Sequence, residues 1–207
     1  MVANKLKLNE DKTEVIKFEG GSRGNRSTFE EIRVCGSVLK ICKRSVRNLG
    51  VHFDSELNMK THITKVIQSC NFYLKSISKI RSLLDFNTCK MMIVSYVLSR
   101  IDYCNSLLAG CNKADINRLQ KLQNKAARLV TLTRNTEHIT PILMELHWLP
   151  VCERINFKIN VTTYKSLNDM SPEYLQELIS LYQPTRVLRS SDALLINDKL
   201  CKTKFSL

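Results

Sequence analysis

The chain has 207 residues, with 32 Lys and Arg against 19 Asp and Glu, a formal net charge of +13, and 43% hydrophobic residues. That length holds one domain or a domain and a half with a core that needs no disulfide or metal staple, and the composition excludes a wholly disordered, collagen-like or coiled-coil chain. No stretch reaches the roughly 18 uncharged apolar residues of a bilayer crossing, the best run being Met91 to Leu98, so no membrane partner is expected.

The charge is unevenly spread. Residues 1–59 hold 11 basic and 8 acidic side chains, 60–136 hold 13 and 3, and 137–207 hold 8 and 8. A basic stretch of that density points to a polyanion, because each neutralised phosphate releases condensed counterions. Nucleic acid is the leading partner. An anionic membrane surface competes less well, since a peripheral helix wants aromatics on its apolar face and the one Trp is Trp148.

In chain order, residues 1–59 read as short β elements: 15–18 (VIKF), a loop over 20–27, 32–36 (IRVCG), 37–41 (SVLKI) and 48–54 (NLGVHFD). Gly and Asn pairs between β-branched residues favour hairpins over helix. From Lys60 the period changes. Ile63, Ile67, Cys70, Leu74, Ile77 and Leu84 recur at helical spacing, with Lys60, Lys65, Lys75, Lys79 and Arg81 interspersed, predicting an amphipathic helix that ends near Asp85.

Asn87 or Thr88 is expected to cap a second helix through about Leu108, a central one because apolar residues from Met91 to Ile101 surround its axis. Gly110 stops it, and Asn112 or Asp115 starts a third helix to about Thr133. There Ile116, Leu119, Leu122, Ala126, Leu129 and Val130 share one arc, and Arg118, Lys121, Lys125 and Arg128 the opposite one. Pro141, Pro150 and Pro172 mark the first turns of helices over 140–146, 151–168 and 172–182. The tail after Pro184 has weak periodicity.

A solvated helix usually interleaves acids with its cations as i,i+4 partners. From Lys113 to Arg134 the only acid is Asp115, so the stripe of Arg118, Lys121, Lys125 and Arg128 reads as a phosphate-binding face rather than a solvated one. Phe72, Tyr73, Tyr96 and Tyr103 have rings able to stack on bases, but they lie among apolar rows and are expected in the core.

Catalytic constellations are weak. Two-metal phosphoryl transfer needs carboxylates converging in a shaped cavity; Glu10-Asp11 and Glu30-Glu31 follow no apolar strand and read as surface. His138 and His147 stand without a paired acid or nucleophile and read as helix-end groups. The eight Cys never form C-x-x-C and the four His do not complete a zinc set. No metal is expected, and the thiols read as small buried hydrophobes, Cys70 being an example. No secretory signal follows the first lysines, so an intracellular, reducing compartment is expected, nuclear or cytoplasmic.

Seven strings occur in order: NKLKLNEDKTEVIKF, RNLGVHFDSELNMKTHI, SRIDYCNSLLAG, RLQKLQNKAARLV, HITPILMELHWLPVCERINFKI, TYKSLNDMSPEYLQELI and RSSDALLI. Together they resemble the region after the active-site strand in reverse transcriptases (RNA-directed DNA polymerases) of non-LTR retrotransposons of the jockey-like and chicken-repeat-like group. The resemblance covers nearly the whole chain. It implies that Asn9 to Phe18, with Lys12 and Thr13, closes a polymerase palm, that Asn48-Leu49-Gly50-Val51 forms a hairpin gripping the primer end, and that the later helices form a thumb holding an RNA–DNA template–primer duplex. The family works with Mg²⁺ on an aromatic-Ala-Asp-Asp hairpin, and that tetrapeptide is missing from this sequence. The resemblance therefore implies a truncated mobile-element fragment that binds nucleic acid and does not catalyse alone.

The fold expected is mainly α with a small β-hairpin N-terminal part, an α+β chain: a palm-end remnant over 1–59, a basic helical thumb-like region over 60–136, further helices over 137–184 and a weakly structured tail over 185–207. The nucleic-acid-binding candidates are Lys12, Leu49, Gly50, Arg118, Lys121, Lys125 and Arg128. For Gly50 an ordinary turn and a close backbone approach stand equal. The alternative functions are a host-adopted helical module docking nucleic acid or an acidic protein, and a polymerase whose catalytic half is another chain.

Overall fold

The computed structural model describes Asn9 and residues 12–18, 31–34, 37–42, 45–182 and 195–196. Two hairpins lead into a helical body, so the chain is mainly α with a small β part on its N-terminal side. β1 (Glu31–Val34) pairs antiparallel with β2 (Ser37–Lys40). The strand expected over 15–18 reduces to one parallel bridge between Val15 and Ile41, with the Cys42 amide donating to the Val15 carbonyl at 2.7 Å. The loop expected over 20–27 lies outside the described residues. β3 (Ser45–Asn48) pairs with β4 (Val51–Asp54), and because Asn48 faces Val51 the connection is only Leu49 and Gly50.

α1 (Lys60–Ile80) carries the expected period and no acidic residue, and it buries Ile63, Cys70, Leu74 and Ile77. A 3₁₀ turn over Arg81–Leu83 closes it. α2 (Phe86–Ile93) begins on Asp85, not on the expected Asn87 or Thr88: Asp85 has extended backbone, and its carboxylate accepts the amides of Asn87 and Thr88 at 3.0 and 3.1 Å. A hydrogen bond from the Thr88 side chain, followed by these amides, holds the Asp85 carboxyl below its ordinary pKa.

The rod continues through a π-helical stretch, Val94–Leu98, into α3 (Ser99–Asp102) and stops at Tyr103. Cys104 is left-handed, and the residues expected to complete the helix to Leu108 form a separate 3₁₀ turn over Asn105–Leu108. Nor is the rod enclosed on all sides. Cys89, Ile93, Val97, Leu98 and Ile101 are buried, whereas Met91 is 63% exposed and Val94 and Tyr96 are also open. Its neighbours approach from one side only, so apolar residues all round the axis do not make it central.

α4 (Lys113–Thr131) starts, as expected, on Asn112, whose side-chain oxygen accepts the Asp115 amide at 2.8 Å. α5 (Ile139–Glu145) holds Pro141 in its first turn, and Pro150 and Pro172 sit at the N-caps of α6 (Val151–Leu167) and α7 (Glu173–Gln176). The helix expected over 172–182 closes after Gln176; further on, Leu181 bridges to Ile196 and the Tyr182 amide donates to the Leu195 carbonyl at 2.8 Å. Apart from Leu195 and Ile196, the tail expected over 185–207 lies outside the described residues.

α1, the α2–α3 rod and α4 share one apolar core that includes Ile63, Leu74, Ile93, Val97, Leu119, Leu122 and Val130. The rod runs antiparallel to α1, with Ile63 and Ile101 lining one hollow and, further along α1, the Cys70 thiol on the Val97 carbonyl at 3.7 Å; the long Arg100 side chain reaches Tyr73. Burial pushes the Cys70 thiol up to about 11, so it behaves as the small hydrophobe expected. α1 and α4 run parallel. Near their N-terminal ends Arg118 donates to the Thr64 hydroxyl at 3.1 Å; at their C-terminal ends Arg81 donates to the Leu129 and Val130 carbonyls at 2.9 and 2.7 Å.

Polar pins attach α6. Gln123, 0% exposed, donates to the Leu149 carbonyl at 2.8 Å, Gln120 accepts the Val151 amide at 2.8 Å, and Arg154 pairs with Asp102 at 2.6 Å. Among the described residues no helix is long and apolar enough to cross a membrane. Ile93→Ala is expected to cost roughly 2–5 kcal/mol, while Met91→Ala, two positions away on the open side, stays within about 0.5 kcal/mol. Urea unfolding followed by circular dichroism separates the two, and equal losses would mean that the rod is enclosed after all.

Candidate nucleic-acid interface

The cation stripe of α4 follows from spacing. Arg118, Lys121, Lys125 and Arg128 step by three, four and three residues, which keeps them on one side of a 3.6-residue helix, while Leu119, Leu122, Ala126 and Val130 turn inward. None of the four cations is buried, but they are not equivalent. Arg118 bonds Asp115 at 2.9 Å and Thr64. Arg128 donates to the Arg134 and Glu137 carbonyls at 3.3 and 2.9 Å, holding the turn after α4. Lys121 and Lys125 are exposed and have no hydrogen bond or ion pair among the described residues. The stripe therefore divides into two arginines with structural duties and two free ammonium groups.

The parallel α1 brings further groups to the same side. Asn71, Lys75 and Ser78 face Lys125, Arg128, Leu129 and Asn135 across a groove of about 550 Å³ floored by Leu74. Three cations and three neutral hydrogen-bonding side chains line it, and no carboxylate does. Lys75, Asn71, Ser78 and Asn135 are not distinguishable from ordinary surface by sequence. Only the register of α1 on α4 sets them opposite the stripe.

Lys12, Leu49 and Gly50 belong to another surface. Lys12 is exposed and edges a hollow of about 530 Å³ between residues 12–18 and the β3–β4 hairpin, together with Val46, Arg47 and Phe53. Leu49 and Gly50 form the hairpin tip, both with positive φ, 46° and 87°, the backbone that a two-residue turn of type I′ requires. Leu49 is 84% exposed. The Tyr103 hydroxyl donates to its carbonyl at 2.5 Å, and a Cβ on Gly50 would stand 3.4 Å from the Tyr103 ring. Gly50 thus meets the expectation of a turn, while a Cβ there would make only ordinary van der Waals contact with the Tyr103 ring.

Of the four aromatics expected in the core, only Tyr73 packs against it, half-buried. Phe72 is 66% and Tyr96 46% exposed, and Tyr103 is also open. Phe72 falls on the side of α1 away from the Ile63, Cys70, Leu74 row, and Tyr96 sits in the π stretch on the rod's open side. Tyr73 and Tyr96 stack with centroids 5.3 Å apart, Phe72 meets Tyr73 edge-on at 5.5 Å, and the Arg100 guanidinium lies 4.7 Å from the Tyr73 centroid.

Acidic and imidazole groups are dispersed. Among the described residues no three His, Cys, Asp or Glu side chains converge on a common point; Asp115 serves Arg118 and Asp102 serves Arg154. Those residues do not fit a magnesium pair. Glu31 is exposed in β1, and Glu10, Asp11 and Glu30 fall outside the described residues. His138 is the N-cap of α5 by position, without a side-chain hydrogen bond, and His147 is exposed with φ 57°. Comparison of the chain with protein-family models, with curated proteins and with solved structures finds no match.

His52 and His62 join the β3–β4 hairpin to α1, the His52 amide donating to the His62 ring nitrogen at 3.5 Å. Burial lowers both pKa values below 6.5, with the charges of Arg47 and Lys65 adding for His52 and the neighbouring His52 for His62. A depressed value makes the folded state reluctant to take a proton, so this stability is full above 6.5 and falls as pH drops from there through the folded pKa values. Urea midpoints should decrease between about pH 8 and about pH 5, and less in His62→Gln than in the parent chain. At the tip, Leu49→Asn supplies the Asn-Gly pair that tolerates left-handed backbone and should stabilise by up to about 1 kcal/mol, whereas Gly50→Ala should destabilise by at least about 1 kcal/mol. Thermal melts read both, and a stabilising Gly50→Ala would contradict the turn.

Proposed function

We propose that the chain binds nucleic acid, as the thumb-like part of a non-LTR reverse transcriptase, and holds an RNA–DNA template–primer duplex without polymerising it. The observation that carries the reading is the groove between α1 and α4. Lys75, Lys125 and Arg128 offer charge, Asn71 and Asn135 offer neutral donors, and Lys121 adds a free ammonium beside it, while the Ser78 hydroxyl is donated to the Lys75 carbonyl. Helix neighbours three and four residues apart are about 5–6 Å apart at Cβ, so the cations form a ladder able to follow a phosphate backbone. Contacts of that kind fix position and orientation while carrying no sequence information.

Binding of this type is driven by counterion release, and the logarithm of affinity falls by about 0.9 per neutralised phosphate for each logarithm of salt. α1 contains no acid and α4 only Asp115, itself bonded to Arg118, so little internal neutralisation competes with phosphate. Polymerisation is outside the proposed activity because the aromatic-Ala-Asp-Asp carboxylates are not in the sequence.

The full chain, titrated against a fluorescent RNA–DNA hybrid of about 20 base pairs over a range of salt, should bind with a strong salt dependence. Lys75→Gln with Lys125→Gln should make the slope shallower by about 2, one for each lost phosphate contact. Arg118→Gln should instead lower thermal stability while changing the slope by less than one contact. An unaltered slope in the double lysine variant would remove the groove from the reading, and equal displacement by polyglutamate and by unlabelled hybrid would favour docking of an acidic protein.

A further inference from the structure

We infer that the exposed rings of Phe72 and Tyr96, held by the half-buried Tyr73, form a stacking platform for the bases of an unpaired nucleic-acid strand, a site separate from the duplex-holding groove. The inference extends the proposed function by naming a second nucleic-acid form and the side chains that receive it.

The first support is exposure that packing does not explain. A buried aromatic stabilises by removing its surface from water, yet Phe72 keeps 66% of its surface exposed and Tyr96 keeps 46%. Phe72 lies off the inward row of α1, and nothing in that row requires a ring there.

The second is order. Tyr73 and Tyr96 are already stacked, 5.3 Å apart with an interplanar angle of 16°. Tyr73 is fixed from two further directions, by the Phe72 edge at 5.5 Å and by Arg100, whose guanidinium donates to the Tyr73 hydroxyl at 3.1 Å and lies 4.7 Å from the ring centroid. Rings held in this way are preorganised, so a base meeting them loses little more side-chain freedom than its own. Tyr96 is presented by the π-helical stretch Val94–Leu98, and single-turn π insertions often occur at functional positions.

The third is charge. Arg100 is exposed within the cluster, and Lys65, Lys75 and Lys79 are exposed on the same helix as Phe72, with no carboxylate anywhere on α1. Aromatic faces set among cations match a strand whose bases are apolar faces and whose backbone is anionic. A partner that was merely apolar would gain nothing from those cations. Lys75, three residues after Phe72, also lines the groove, so the platform and the groove meet across the crest of α1. A helix is about 10–12 Å across, a distance that two or three nucleotides of an overhang can cross.

The test uses the full chain, a labelled oligo-dT of about 20 nucleotides, a blunt RNA–DNA hybrid, and the same hybrid with a single-stranded overhang. Phe72→Ala with Tyr96→Ala should weaken oligo-dT binding by about tenfold or more, from loss of base–aromatic stacking, while changing blunt-hybrid affinity less than about twofold. The overhang should strengthen hybrid binding in the parent chain and not in this variant. Phe72→Trp should retain oligo-dT affinity, with quenching of the new indole on binding; the native Trp148 is buried and provides the baseline. Unchanged oligo-dT affinity in the double alanine variant, or no quenching in Phe72→Trp, would overturn the platform. Oligo-dT binding that depends on Phe72 and Tyr96 without any hybrid binding would leave the platform standing and remove the duplex reading; hybrid binding with no effect of the overhang would do the reverse.

Discussion

The arrangement of the helical body depends on one guanidinium. Arg81, in the turn that ends α1, donates to the carbonyls of Leu129, Val130 and Leu84 at 2.9, 2.7 and 2.7 Å. The last carbonyls of a helix have no partners within it and carry a partial negative charge. A half-buried cation that serves two of them fixes the C-terminal end of α4 against that of α1. The core residues between the helices would tolerate some sliding, because apolar contact is not directional. Hydrogen bonds to named carbonyls do not. The parallel register that follows is what sets Lys75 and Ser78 opposite Lys125 and Arg128.

Two helices nearly free of acids lie side by side in this bundle, and like charges so arranged oppose folding. The structure contains the repulsion in two ways. Arg118 and Arg128 are turned to Asp115 and to carbonyl oxygens, which takes two of the four α4 cations into internal bonds. Lys121 and Lys125 extend into water, where screening is strong. What remains uncompensated is concentrated on one flank, and that flank borders an exposed aromatic cluster instead of an acidic one.

Much of the helical layout is legible in the sequence because it rests on local rules. The apolar period of α1 and α4, the Asn112 cap and the three prolines act within a few residues of their targets. So does the Leu49-Gly50 turn. What escapes a linear reading is what depends on partners far along the chain. Arg81 looks like one more surface cation until Leu129 and Val130, on another helix, are beside it. Tyr103 reaches Leu49 across the same kind of gap. Apolar residues surround the axis of the rod from Met91 to Ile101, so the sequence alone does not say which side its neighbours take, and Val94 and Tyr96 lie on the open one. Asp85 is the instructive near miss: it sits where one helix was expected to end, and it begins the next.

The parallel sense of α1 and α4 has an electrical consequence. Peptide dipoles in each helix sum to roughly half a positive charge at the N-terminal pole and half a negative one at the C-terminal pole. In an up-down bundle neighbouring poles cancel; here those of α1 and α4 coincide, and the reversed α2–α3 rod offsets only one of them. The positive poles of this helix pair therefore lie together at the Met59 and Asn112 end, which gives the two ends of the pair different affinities for an anion.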